Sequence, residues 1–123
     1  MKTGPVERSV EIAAPLEQVY DALARFEDLP QFVEGVEDVR LADETHLRLR
    51  FADGTPDAAA EIIEQRPFER VAWHAAVSGS VTFERLGAER TRVTVRLEDG
   101  DGHRSRVSDH LDRFKRATEA RAG

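Results

Sequence analysis

The stretch HRSRVSDHLDRFKRATEAR, residues 103–121, is the one long amphipathic pattern in the chain that follows a run of short alternating segments. Val107, His110, Leu111, Phe114 and Thr118 recur at steps of three and four and share a stripe, while Arg106, Asp109, Arg113, Arg116 and Glu119 point elsewhere. Such a helix needs an apolar partner surface. The alternating segments from Val36 to Leu97 supply one, as an antiparallel sheet with a single apolar face that nothing else nearby is long enough to cover. The expected class is α+β, a curved sheet wrapped around the last helix, a packing that leaves room for a cavity between them.

Upstream, Val6, Arg8, Val10 and Ile12 alternate with Glu7, Ser9 and Glu11, which reads as a first strand carrying one arginine on its apolar side. Pro15 opens a helix where its missing N–H costs nothing, with Leu16, Val19, Tyr20, Leu23 and Phe26 as its buried stripe and Asp21 one turn before Arg25. A second short helix is expected from an N-cap at Asp28 to a stop at Gly35. From Val36 the period is two. Strands are expected over Val36–Leu41, Leu47–Phe51, Ala58–Gln65 and Val71–Ala75, and around Val81–Phe83 and Val93–Leu97, with turns at Asp43–Thr45, Asp53-Gly54, Ser78-Gly79 and Gly87. In the segment from Ala58 to Gln65 the inward face is either Ala60, Ile62 and Glu64 or Ala59, Glu61 and Ile63. A slip of one residue exchanges them. The six-strand block is a meander, and the first strand joins one of its edges.

The 123 residues make one expected domain, 1–123, with no linker, repeat or low-complexity tract. A domain of that length buries roughly two thirds of its unfolded surface and needs no covalent staples. With no cysteine, thiolate chemistry, disulfides and sulfur-ligated zinc are excluded. A net charge of −6 with interspersed signs argues against a nucleic-acid footprint. The N-terminus lacks an apolar signal region and no run of apolar residues spans a bilayer, so the expectation is a cytoplasmic protein without an integral membrane segment.

Several phrases in this order resemble the START-like, or SRPBCC, superfamily, in its polyketide cyclase/dehydrase and ubiquinone-binding branch. They are Ile12-Ala13-Ala14-Pro15 with Glu17 and Val19-Tyr20; Phe26-Glu27-Asp28-Leu29-Pro30-Gln31-Phe32 running into Gly35-Val36; Val71-Ala72-Trp73; Val81-Thr82-Phe83-Glu84 with Thr91-Arg92-Val93-Thr94; and Leu111-Asp112-Arg113-Phe114-Lys115. The resemblance implies the helix-grip fold: a curved seven-stranded antiparallel sheet around a long C-terminal helix, with two short helices between strands 1 and 2. It also implies an apolar pocket between sheet and last helix. The segment after Gly100 is short for the family, which implies a smaller pocket or one open at an end.

The candidate ligand-binding residues are Phe32, Leu49, Phe51, Trp73, Phe83, Val95, Leu97, Val107, Leu111 and Phe114, on the reasoning that such a cavity needs apolar walls with a few polar groups. The competing reading is that they simply fill the core. His110, flanking the helix stripe, is the catalytic candidate: an imidazole there could meet a ligand carbonyl or act as general base, against the alternative of a boundary histidine with its tip in water. Glu64 and Tyr20 are secondary polar candidates. Glu64 would be an acidic group at the wall if Ile62 faces inward, or else a partner of Arg66 or Arg70; Tyr20 would offer a hydroxyl, or else be a core aromatic.

Other motifs fail. Ser108, Asp109 and His110 are contiguous on a helix and cannot form a triad. Asp99-Gly100-Asp101-Gly102 lacks the acidic residue and glycine that a calcium loop needs next, and no histidine spacing implies a metal. The expected cofactor and metal set is none. The expected partner is an apolar small molecule, polyketide-like or lipid-like, for a chain that is a monomer or homodimer. If the chain is an enzyme, the resemblance implies cyclisation or dehydration of a poly-β-keto chain. The alternatives are a non-catalytic quinone or lipid carrier, and a protein-interaction module with a filled cavity that works through the face bearing His46, Arg48 and Arg50.

Overall fold

The computed structural model describes residues 5–31, 36–52, 54, 56–75, 78–98 and 104–122, with the side chains of residues 29–31, 104–108 and 122 outside that description. The elements run β1 (Val6–Ile12), α1 (Leu16–Ala24), a 3-10 turn (Phe26–Gln31), β2 (Val36–Leu41), β3 (His46–Phe51), β4 (Ala58–Arg66), β5 (Arg70–His74), β6 (Gly79–Gly87), β7 (Arg90–Leu97) and α2 (Arg104–Ala122). The strands form one seven-stranded antiparallel sheet in the order β1-β7-β6-β5-β4-β3-β2. Six strands follow as a meander, and β1 closes onto β7 with Val6 opposite Leu97 and Ile12 opposite Thr91. This is the sheet around a last helix that the sequence pattern led to and the helix-grip arrangement that the resemblance implied, with a 3-10 turn as the second of the two short elements between β1 and β2.

The final helix packs mainly on β1 and touches α1. Leu111, Phe114 and Thr118 are buried along its inner side, as the stripe requires. Val107 belongs to the same stripe, but its side chain lies outside the described residues, as does Phe32 entirely. At the C-terminal end of α2 the attachment becomes polar. The Ala13 N–H donates to Glu119 Oε2 at 2.8 Å, and Lys115 holds the same carboxylate from one turn earlier. These two donors, Lys115 first, keep the Glu119 carboxyl below its ordinary value.

Local expectations change at the end of α1 and at Gly79. Helix α1 ends at Ala24 because Arg25 leaves helical geometry, and Phe26 then starts a 3-10 turn, so Asp28 lies inside that turn and is not its N-cap. Gly79 is the first residue of β6, paired with Trp73 and Leu97, and not part of a turn. Pro67 and Phe68 make the β4–β5 turn closed by Glu69 N–H to Arg66 O at 3.0 Å. Phe68 takes φ 67°, the place where glycine normally serves. Its ring packs edge-on against Tyr20 at 5.2 Å, a contact that offsets a strain of roughly 1 kcal/mol or more.

Candidate functional site

Sheet curvature leaves a cavity of about 330 Å³ between the inner sheet face and α2. Its walls follow from strand alternation. On β7, Val93, Val95 and Leu97 point in, while Arg92 and Arg96 point out to Glu84, Glu11 and Glu98. Leu47 and Leu49 of β3, Ala60 and Ile62 of β4, Val71 and Trp73 of β5, and Val81 of β6 continue the wall. Helix α2 closes it with His110, Leu111 and Phe114, and α1 adds Leu23 with Phe26 just beyond its end.

The candidates from the sequence separate here. Leu49, Trp73, Val95, Leu97, His110, Leu111 and Phe114 line one space. Phe83 does not. It is buried with its ring edge-on to Tyr20 at 5.3 Å and fills the neighbouring part of the interior. Phe51 does not line the space either: β3 runs past its last pair with β4, Leu49 with Ala58, and Phe51 pairs with Val36 beyond that point. Tyr20 does not line the cavity; its hydroxyl oxygen accepts from Gln65 Nε2 at 3.1 Å.

Glu64 is the sharpest departure. The face of β4 carrying Ala60 and Ile62 does turn inward, yet Glu64 does not follow it. Ile62 pairs with Trp73 and Glu64 with Ala72, so Ile63 is an extra residue that bulges out, 62% exposed. Beyond the bulge the alternation is reversed. Gln65 takes the inward place beside Val71, and Glu64 sits on the outer face between Arg66 and Arg70, 2.8 Å from each.

The reading that requires a filled core does not fit this space. Its proposed surface, the outer face of β2 and β3, holds a polar groove lined by Asp38, Arg40, Arg48, Arg50 and Asp57. Much of its charge is met internally: Arg40 binds Asp38 at 2.8 Å, Arg50 lies 3.6 Å from Glu37, and His46 Nδ1 binds Asp43 at 2.8 Å. The Thr45 N–H and that imidazole draw the Asp43 carboxyl down to about 2.

Leu23, Phe26, Leu47, Ala60, Ile62, Val71, Val81 and Val93 are wall residues absent from the sequence candidates. The signal for most of them was the period of two itself, since Leu47 shares a face with Leu49 and Val93 with Val95. Among the described residues no cluster of histidine, aspartate and glutamate could hold a metal, and no helix is long and apolar enough to cross a membrane.

A protein family described as polyketide cyclase/dehydrase and lipid transport matches residues 12–103. An uncharacterized 17.2 kDa protein of Streptomyces lincolnensis, from the melC2-rnhH intergenic region, is 35% identical over 122 residues, covering 93% of this chain and 81% of that protein. The crystal structure of DR_A0006 from Deinococcus radiodurans superimposes with a TM-score of 0.78 at 29% identity, over 94% of this chain and 98% of the other. The di-domain ARO/CYC StfQ from the steffimycin biosynthetic pathway shares the fold, with a TM-score of 0.79 at 20% identity, over 93% of this chain and 44% of that one.

Proposed function

Because this chain belongs to the polyketide cyclase/dehydrase and lipid transport family, we propose that its cavity binds an apolar small molecule of polyketide-like or lipid-like character. One observation carries the reading. A chain with 34% charged residues keeps a space of about 330 Å³ whose described walls are apolar side chains and one imidazole. Filling that space would remove both ligand and wall from water, worth about 25 cal/mol for each Å² of apolar surface covered.

The single tryptophan reports on the wall directly. Trp73 fluorescence is followed while aromatic polyketides, quinones and fatty alcohols are titrated in, alongside thermal melts. A saturable shift with a raised Tm for one chemical class supports the reading; no shift and no stabilisation by any of them contradicts it.

The position of His110 in the wall favours a second reading, catalysis. The cavity would fold a flexible poly-β-keto chain so that the reacting carbons meet. His110 would take a proton from a methylene between two carbonyls, and the carbanion would attack a distant carbonyl. The imidazolium would then return its proton to the new alkoxide, closing the ring with no net proton exchange. Turnover lost in His110→Ala with binding retained supports this step. Full turnover in that variant removes it, and binding without any turnover in the wild type makes the chain a carrier.

A further inference from the structure

The wall also speaks to charge. Among the described lining residues there is no lysine, arginine, aspartate or glutamate, and apart from the Trp73 indole only His110 brings a polar side-chain atom. On β7 and β4, charges adjoining the wall residues are turned away. Arg92 and Arg96 interrupt the β7 wall residues but face outward to carboxylates, and the bulge at Ile63 carries Glu64 to the outer face. A carboxylate or ammonium brought inside would lose its hydration and meet no fixed opposite charge on the described walls, the His110 imidazole being the one group there that could take up a proton to answer a carboxylate. An uncharged hydroxyl or carbonyl loses far less and gains a hydrogen bond where it meets the imidazole.

Building on the reading of the cavity as a ligand site, we propose that it selects uncharged ligands whose polar group, a hydroxyl or carbonyl, lies against His110. At the packing density of protein interiors the space holds on the order of fifteen to twenty non-hydrogen atoms. That corresponds to two or three fused rings, or to a chain of similar bulk. Free fatty acids are excluded by their charge, whereas fatty alcohols and neutral aromatic ketones or phenols are admitted.

The test uses matched probes on the full chain at pH 8: anthracene, 9-anthracenemethanol and 9-anthracenecarboxylate, with dodecan-1-ol and dodecanoate as a chain pair. Binding is read by calorimetry and by quenching of Trp73. Each neutral alcohol is expected to bind at least about tenfold tighter than its carboxylate partner. 9-Anthracenemethanol is expected to exceed anthracene by roughly three- to tenfold in the wild type. In His110→Leu that advantage disappears while anthracene still binds, and in His110→Gln, which keeps a hydrogen-bonding group, part of it returns.

A carboxylate that binds within tenfold of its alcohol, or tighter, overturns the charge selection while leaving the cavity as a ligand site. An alcohol advantage unchanged in His110→Leu overturns the placement of the polar group. Failure of every probe to bind the wild type overturns the ligand site and the selection together.

Discussion

Beside the first turn of α1 the interior is solid; a few residues further along the same strands it is hollow. At the solid end, Phe83 of β6 meets Tyr20, Thr91 Oγ1 donates to the Ala14 carbonyl at 2.9 Å, and Arg85 clasps Glu17 at 2.6 and 2.9 Å. Glu119 binds the Ala13 N–H, which fastens the end of α2 to the β1–α1 link. At the hollow end those strands present Val81, Val95 and Leu97, and α2 faces them with His110, Leu111 and Phe114. One sheet face therefore does two jobs along its length. At one end Phe83 fills the interior against Tyr20 and the Glu119 tether fixes the helix, and at the other Val81, Val95 and Leu97 border an open space beneath it.

The largest effect should come from attacking the solid end. Phe83→Ala is expected to cost about 3–5 kcal/mol in chemical denaturation, since it empties a packed site. Leu97→Ala, which widens a space that already exists, should cost about 1–2 kcal/mol. Equal costs would mean that the two ends do not differ in packing.

Gly79 lies at the hollow end and admits no side chain. A Cβ there would stand 2.6 Å from the Arg96 carbonyl, 2.7 Å from the Trp73 ring and 2.9 Å from Leu97. Gly79→Ala is therefore expected to destabilise by about 1–3 kcal/mol and to push the indole off its seat, which a changed Trp73 emission maximum reports. An unchanged spectrum would show that Gly79 does not set the position of that wall.

The Glu119 tether gives a smaller effect with a definite pH sign. Its carboxyl is held below the ordinary value of 4.5, so its contribution is present above that pH and is lost as pH falls through the lower folded value. Glu119→Ala should cost about 1 kcal/mol at neutral pH, with the gap to the wild type closing as pH drops below 4.5. A gap that stays constant from pH 7 to pH 3 would remove the tether's role.

Smallest is Thr118, whose Oγ1 is buried without a hydrogen-bond partner among the described residues. Thr118→Val keeps the shape and is expected to raise stability by about 1 kcal/mol or less. A loss of stability would mean that the hydroxyl is satisfied.

Much of this architecture was legible because periodicity survives burial. The alternation of Val6, Val10 and Ile12 placed β1, and the three-four spacing of Leu111, Phe114 and Thr118 placed the inner side of α2. The bulges were not legible, because no residue type marks where an extra position enters a strand. Ile63 looks like an ordinary strand residue, yet it decides that Glu64 faces out and Gln65 faces in. Nor does a pattern separate an apolar side chain that fills space from one that borders it. Phe83 and Val81 share the inner face of β6, and only the position of Tyr20 makes one of them packing and the other wall.

The most direct measurement is a titration of the protein, methyl-labelled at isoleucine, leucine and valine, with 9-anthracenemethanol, followed by NMR. The expected result is saturable shifts at Leu49, Val81, Val95 and Leu97 with little change at Ile12 and Val19, which are packed at the solid end. Shifts confined to exposed methyls such as Ile63 and Leu86, or no shifts at all, would contradict a ligand site between the sheet and the last helix.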